Sequence, residues 1–356
     1  MTKTRTAGRT LGLIAALALT APPALSQAVN LSGETSSPGN SPHVSSTHIS
    51  RVLSARGIAD IQLTEGQVAT NSVVNVAQGR TDYATAPMIL SFMLSRGVGP
   101  FAQIGPEEGA ELAGNLRALW PYNAGGYALI AFESSGITTW EQLEGLTVFN
   151  GPPQGAALVN ARQTIQAITG LEDGVGYTGL QANWGMLPSM LVDGSADAFV
   201  VPLTMPSDRI TVMASAGRVN LVSIPRETFE SEAFQRVLAA PGNVPIVLPV
   251  DQIGHGDEVN VITDDGMMRL LGTAFADLVH KDMDFELARA ITAAHIETLD
   301  ELRQLTPYAS TVGFGFVEDA AASGFCGLMP LRYHPGAIAA WEDAGYTIPD
   351  CARPEE

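Results

Sequence analysis

Strand-like and helix-like patterns alternate along this chain, and that alternation constrains its fold more than any other feature of the sequence. Residues 29–32, 60–63 and 147–149 have the composition and flanking turn residues of short strands, and each precedes a helical pattern. Residues 266–280 and 285–299 have the composition of long helices. Strands that alternate with helices pair in parallel, because each helix must cross the sheet before the next strand begins. The sequence therefore predicts an α/β protein.

The N-terminus has the features of a secretory signal peptide. Three basic residues within the first nine precede the uncharged apolar run 11–21, and small residues surround a cleavage point after Ser26 or Ala28. The run is far shorter than the ~20 residues that span a bilayer. The sequence therefore predicts a signal peptide over residues 1–28 and a mature protein in the periplasm.

The acidic balance of the chain limits its partners. The formal net charge is −18, and such a surface repels nucleic acid and anionic membranes. It does not exclude an anionic ligand, because backbone N–H groups inside a cleft bind anions. After removal of the leader about 330 residues remain, which is too many for one compact core and suits two lobes.

The chain has two cysteines, Cys326 and Cys351, and both lie near the C-terminus. In an oxidising compartment such a pair predicts one disulfide bond, the alternative being two buried free thiols. The bond would close a loop of about 25 residues and stabilise the fold by roughly 3 kcal/mol. We expect it to be structural and not redox-active.

Two strand-to-helix turns carry the residues best suited to hold a ligand. In the first, the small residues 155–157 follow a Gly/Pro-rich loop and begin a helix. In the second, Thr70-Asn71-Ser72 opens a helix, with Asn71 and Ser72 as good N-cap types. A helix N-terminus has unpaired N–H groups and partial positive charge, so each turn is suited to bind a carboxylate. The alternatives are an ordinary turn and plain helix capping.

Catalytic and nucleotide-binding motifs are missing from the sequence. It has no Gly-x-Ser-x-Gly elbow and no His-Glu-x-x-His motif, and the loop before residue 155 lacks the Gly-Lys-Ser/Thr ending of a P-loop. A dinucleotide-like Gly-x-Gly-x-x-Gly at 174–179 follows a helix end and not a strand. The sequence thus indicates a binding protein, with no catalytic residues, no cofactor, no metal and no ATP.

Several short motifs follow one another in a fixed order along the chain. They lie at residues 70–84, 135–148, 191–198, 334–337 and 344–349. The C-terminal pair, His-Pro-Gly-Ala followed by Gly-x-x-Ile-Pro, is the most specific of them. Over nearly the whole mature chain this order resembles that of the TAXI family of receptors for tripartite ATP-independent (TRAP) transporters.

This resemblance implies a type II periplasmic-binding-protein fold, in which two α/β lobes are joined by crossing hinge strands and close on a ligand. It also implies that the ligand is delivered to the membrane permease subunits of a TRAP transporter. We expect residues 127–132 and 258–262 to cross between the lobes. This assigns residues 29–130 and 248–356 to lobe A and residues 131–247 to lobe B.

The predicted ligand is a small organic anion of the carboxylate or amino acid type. Two loops depart from the family pattern: residues 32–38 lack the family's aromatic side chains, and Gln154 offers an amide where the family has a hydroxyl. We expect these loops and both helix starts to line the cleft. The predicted ligand-binding residues are Thr35, Ser36, Thr70, Asn71, Ser72, Pro87, Gln154, Gly155, Ala156, Ala157, Trp184 and Pro202.

Three alternative functions share parts of this pattern. A receptor for an ABC importer of the nitrate, sulfonate or thiamine-precursor type shares the fold and half of the motifs, and a neighbouring ATPase gene would distinguish it. A periplasmic enzyme on the same fold would need an acid–base pair or a lysine in the cleft. A sensory protein that presents its ligand to a membrane kinase is the third alternative.

Overall fold

The structure, a computed structural model, describes the chain beyond its first 27 residues with a few short gaps. The predicted signal peptide, residues 1–28, lies outside the described residues except at its two ends. Within the described part of the chain, no helix is long and apolar enough to cross a membrane. The described residues are 1–2, 28–38, 40–308, 312–319 and 323–355.

All the strands of these residues join one continuous sheet. They are β1 (Val29–Glu34), β2 (Ala59–Thr64), β3 (Tyr83–Pro87), β4 (Leu116–Phe132), β5 (Thr147–Phe149), β6 (Thr178–Leu180), β7 (Ala198–Leu203), β8 (Val219–Val222), β9 (Asn243–Pro249), β10 (Val259–Ile262), β11 (Met267–His280) and β12 (Arg332–Tyr333).

The α-helices lie between the strands, and their ends follow from local sequence. The first helix begins after Asn40, whose side chain accepts a hydrogen bond from the backbone of His43, and it ends at Gly57 in the left-handed conformation. The helices are α1 (Ser41–Arg56), α2 (Ala69–Ala77), α3 (Met88–Arg96), α4 (Pro106–Gly114), α5 (Ala156–Thr169), α6 (Leu187–Met190), α7 (Asp208–Ala214), α8 (Arg226–Glu230), α9 (Glu232–Leu238), α10 (Phe285–Glu297), α11 (Leu299–Gln304) and α12 (Pro335–Asp343).

The sheet consists of two halves that repeat one topology. Lobe A has the strand order β2-β1-β3-β11, and lobe B has the order β6-β5-β7-β4. In each lobe the first three strands are parallel and the fourth is antiparallel to its neighbour. This is the two-lobed α/β fold of the periplasmic binding proteins, so the predicted fold class is confirmed.

Two long strands, β4 and β11, cross between the lobes. The first half of β4 pairs with β11 in lobe A, and its second half pairs with β7 and β8 in lobe B. Residues 127–132, expected to cross, form that second half. Residues 258–262 are not a crossing strand, because β10 pairs with β8 and with neither β4 nor β11. The division of the chain at residues 130 and 248 stays a prediction.

The helix predicted over residues 266–280 is wrong, because this segment is the crossing strand β11. Eleven of its fourteen residues are buried, so the sequence shows no alternation of apolar and polar positions. A strand buried on both faces has no period of two, and its Leu, Met and Ala residues also favour helix. Only the pairing with β3, β4 and β9 shows that this segment is a strand and not a helix.

The predicted disulfide between Cys326 and Cys351 is present in the structure. It spans 25 residues and ties the C-terminal tail to the body of lobe A. Within this loop His334 begins α12: its Nδ1 accepts a hydrogen bond from the backbone of Gly336, over 3.1 Å. The helix packs against α10 in the core of lobe A.

A carboxyl group lies at the centre of lobe A on the crossing strand β11. Asp277 is fully buried and accepts hydrogen bonds from the hydroxyls of Ser45 at 2.9 Å and Tyr83 at 2.8 Å. Tyr122 donates a longer one, at 3.4 Å. Burial raises the pKa of Asp277 to about 7, although these hydrogen bonds oppose the shift.

The glycines of β4 at the hinge provide a test of the crossing geometry. Gly125 has a φ of 116°, and a Cβ there would lie 2.4 Å from the carbonyl oxygen of Leu203. We expect Gly125→Ala to lower the free energy of unfolding by more than about 3 kcal/mol, because clash and backbone strain add. Gly145→Ala is the control: it has a φ of 77° with no atom in the way, and should cost only about 1–2 kcal/mol. Equal losses in urea denaturation would contradict the geometry.

Asp277 should make stability depend on pH. A group whose pKa is raised by folding stabilises the protein below its unfolded pKa of about 4 and loses this contribution as pH rises through about 7. Asp277→Asn removes the titration. Between pH 4 and pH 8 the wild type should therefore lose on the order of 3 kcal/mol of stability relative to the variant. Its melting temperature should fall accordingly, relative to that of the variant. A difference that does not vary with pH would refute this.

Candidate ligand-binding site

The carboxyl ends of the parallel strands in both lobes point toward the hinge. β3 ends at Pro87, which pairs with Phe275 of β11, and β7 ends at Leu203, which pairs with Gly126 of β4. The partners on both crossing strands lie next to their middle. The segments that follow β1, β3, β5 and β7 therefore lie on the hinge side of the sheet, where ligands bind to open α/β sheets.

The N-terminus of α5 is one wall of this region. Gly155 is the N-cap, with a φ of 100°, and no side chain caps the helix. The first N–H groups of such a helix have no partner within it. Ala156 packs against the core of lobe A, whereas Ala157 is half-buried and Gln154 is exposed. The helix start therefore lies at the contact between the lobes, with backbone donors available for an anion.

A polar network fixes the loop that leads into α5. Asn150 follows β5 and is fully buried; it donates to Asp173 over 3.1 Å and accepts from Gln181 over 2.7 Å. Asp173 also accepts from Arg162 and from the backbone of Gly179. Burial raises the pKa of Asp173, but the hydrogen bonds from Arg162, Asn150 and Gly179 outweigh it and hold this pKa below its usual range. The network anchors the loop before residue 155.

A half-buried arginine follows β7 and has no acidic partner among the described residues. Arg209 is in the first turn of α7 and donates to the carbonyl of Pro202. Its guanidinium lies 4.4 Å from the centre of the Trp184 ring. Among the described residues, no carboxylate forms an ion pair with it. Burial lowers the pKa of Arg209 to about 10, opposed by Tyr127, and the group remains charged at neutral pH.

Tyr127 connects this arginine to the hinge. It lies on β4 opposite Pro202 and is buried. Burial raises the pKa of its hydroxyl, while the Arg209 charge and hydrogen bonds from Thr273 and Asn160 oppose the rise. Asn160 is one turn into α5, and Thr273 sits at the β11 irregularity between Gly272 and Ala274. Asn160 of α5, Thr273 of β11 and Arg209 therefore all lie near enough to Tyr127 to influence the pKa of its hydroxyl.

The side chains of the predicted residues that follow β1 form their hydrogen bonds within lobe A. The hydroxyl of Thr35 is buried, accepts from Ser46 over 2.7 Å and lies 3.2 Å from that of Thr85. Ser36 donates to the side chain of Asn40, over 2.6 Å, and thereby supports the start of α1. Both residues shape the loop, and their side-chain hydrogen bonds are made within lobe A.

The second predicted turn differs from expectation in its capping. α2 begins at Ala69 with Val68 as the N-cap, so Asn71 and Ser72 lie inside the first turn and the prediction that they cap the helix is wrong. Asn71 is exposed, Thr70 is half-buried and Ser72 is buried. The helix starts before its polar residues because the backbone carbonyl of Val68 already accepts from the N–H groups of Asn71 and Ser72.

Of the remaining predicted residues, the structure brings Trp184 and Pro202 together around Arg209, while Pro87 is buried at the end of β3. Sequence reasoning missed Arg209, Asn160 and Thr273. One signal was present: a cation in the first turn of a helix opposes the helix dipole, so Arg209 is unfavourable there without another function. The polar residues inside α5 and β11 gave no such signal.

The family of the chain follows from a sequence comparison. A family model described as the NMT1-like family matches residues 35–345, which is most of the chain. The chain belongs to the NMT1-like family. Comparison with curated protein sequences gives no match.

Solved structures resemble this NMT1-like chain at low sequence identity. A protein from Bordetella bronchiseptica is 9% identical with a TM-score of 0.52, and the match covers 89% of this chain and 98% of that one. A TRAP periplasmic solute-binding protein from Rhodobacter sphaeroides is 14% identical, with a TM-score of 0.46 and coverage of 88% and 92%. The periplasmic ectoine-binding protein of a TRAP transporter from Halomonas elongata is 11% identical, with a TM-score of 0.42 and coverage of 88% and 90%. At these identities the likeness concerns the fold alone.

The N-terminus of α5 can be tested by placing a charge on it. Ala157→Asp adds a carboxylate at the second residue of the helix, where it favours the helix dipole, so the melting temperature should not fall. The same charge should repel an anionic ligand and lower its affinity about tenfold or more. Ala156 is unsuitable for this test because it packs in the core.

Ala157→Asn is the matched control, because it has nearly the same shape and no charge. Calorimetry should show that it keeps most of the affinity for an organic acid that binds the wild type. If Ala157→Asp binds that acid as tightly as Ala157→Asn does, the anion does not lie at the start of α5.

Proposed function

We propose that this protein is an exported receptor that binds a small organic anion between its lobes and delivers it to a transporter in the membrane. The observation that carries the proposal is Arg209, which lies half-buried beside Trp184 and Tyr127 and, among the described residues, has no carboxylate partner. A charge that loses part of its hydration without gaining a counter-charge is unfavourable. A carboxylate ligand would supply that counter-charge.

The unpaired N–H groups of α5 add to this preference. Asn160 of the same helix and Arg209 both lie near enough to Tyr127 to influence the pKa of its hydroxyl. Charge-assisted hydrogen bonds are about twice as strong as neutral ones, so one guanidinium and one helix start suffice for a small acid. Trp184 stacks on the guanidinium and limits its contact with water. We infer binding and release of the acid, without catalysis.

We further propose that the receptor belongs to the TAXI group, acts in the periplasm and serves the permease of a TRAP transporter. The support is the order of the motifs, above all the His-Pro-Gly-Ala stretch that opens α12. The leader-like N-terminus supports export. The NMT1-like family match over residues 35–345 fits a receptor whose whole mature chain forms one binding unit.

Replacement of Arg209 by Met tests the proposal. Met keeps much of the volume of the side chain and removes its charge. A thermal-shift screen of organic acids on the wild type first identifies an acid that binds, and calorimetry then measures its affinity. We expect Arg209→Met to weaken binding about 100-fold or more, while the melting temperature without ligand stays nearly the same, because the half-buried charge has no carboxylate partner among the described residues.

Arg236→Met is the control, since Arg236 is an exposed arginine on α9 of the same lobe. It should leave affinity unchanged. Equal affinity of the wild type and Arg209→Met would exclude Arg209 as the anion-binding residue. Failure of every acid in the screen to bind would refute the function itself.

A further inference from the structure

Two buried asparagines lie side by side between α5 and the hinge. Nδ2 of Asn160 donates to the hydroxyl of Thr273 over 2.9 Å. Thr273 pairs across the strands with Asn243 of β9, whose Nδ2 faces Gln163, one turn further along α5, at 3.4 Å. Asn160 is 1% exposed and Asn243 is 3% exposed. Both amides are thus held in place by their nitrogen ends.

The oxygen ends of the same two amides have no hydrogen-bond partner in the described structure. Oδ1 of Asn160 and Oδ1 of Asn243 are both fully enclosed and unpaired. The same is true of Oδ1 of Asn123, at the middle of the neighbouring crossing strand β4. Buried amide oxygens are normally paired, because an unpaired one loses its hydration without compensation. A bound molecule with hydrogen-bond donors would satisfy these unpaired acceptors.

These open acceptors adjoin the group expected to hold the carboxylate. Tyr127 of β4 pairs with Pro202, whose carbonyl accepts from Arg209. On its other side it pairs with Leu271 of β11, two residues before the Thr273 that binds Asn160. Asn160 also lies on α5 four residues after Ala156, so it shares a helix face with the N-terminal turn. A ligand whose carboxylate lies between Arg209 and the start of α5 therefore places its next atoms beside Asn160.

We propose that Asn160, with Asn243 beside it, determines specificity by accepting a hydrogen bond from a donor group next to the carboxylate of the ligand. The inference rests on the proposed function and adds the substrate class. The preferred ligands are 2-amino or 2-hydroxy acids, and the corresponding 2-oxo acids, which offer an acceptor at this position, are disfavoured. Two acceptor oxygens facing a ketone oxygen would leave all of these groups unpaired.

Two matched sets of acids test the inference. The first is pyruvate, L-lactate and L-alanine, and the second is 2-oxoglutarate, L-2-hydroxyglutarate and L-glutamate. Within a set only the group at the second carbon changes. In the set that binds, we expect the amino or hydroxy acid to bind the wild type about tenfold more tightly than the oxo acid. In Asn160→Leu, which keeps the shape and removes the acceptor, this ratio should fall to about one.

Asn220→Leu is the control, because Asn220 is also buried in lobe B but has both ends of its amide paired, with Ile137 and Asn260. It should lower the melting temperature and leave the affinity ratio unchanged. The ratio separates recognition from stability, because a purely structural Asn160 would weaken all three acids alike.

Several results of these measurements would contradict the inference. A wild type that prefers the oxo acid would show that the amides present their nitrogens to the ligand, and this would overturn the inference while leaving the proposed function intact. A ratio unchanged in Asn160→Leu would do the same. If no acid of either set binds while another organic acid of the screen does, the inference is overturned and the proposed function stands. If no organic acid binds at all, the proposed function fails and the inference fails with it.

Discussion

The structure depends on two strands that each run through both lobes. β4 and β11 pair with each other over residues 116–127 and 271–280, so the two sheets become one and their parallel strands all end toward the same hinge. Gly125 and Gly126 allow the crossing because any Cβ there would meet neighbouring backbone or side chains. Every other feature of the site, including the start of α5 and the loop before α7, takes its position from this crossing.

The site combines groups that are unfavourable in the empty protein. Arg209 is charged and half-buried, α5 begins without a side-chain cap, and the amide oxygens of Asn160 and Asn243 are unpaired. Each of these features costs stability, since folding removes hydration that nothing in the described protein replaces. A ligand that pairs with these groups replaces their lost hydration, and this contributes to its binding free energy. Their concentration at the hinge distinguishes this region from the well-paired network around Asp173 in the same lobe.

Part of the site could be predicted because it depends on local sequence. The Gly/Pro-rich loop before residue 155 predicts a strand-to-helix turn with exposed donors, and α5 begins within one residue of the expected position. The position of Arg209 in the first turn of α7 was a signal, but the sequence could not show what surrounds its side chain. Trp184 and Tyr127, which lie beside it, come from other elements of the chain. Asn160 and Thr273, separated by 113 residues, meet for the same reason.

The sequence by itself determined the α/β class, the parallel strands, the cysteine pair and most helix positions, because short-range patterns carry those features. The tertiary structure alone decided that residues 267–280 form a strand, since burial on both faces removes the periodicity that identifies one. It also decided which polar groups lack partners. Hydrogen-bond satisfaction is a property of three-dimensional neighbours, and the same asparagine is exposed, paired or open to a ligand according to what the fold places beside it.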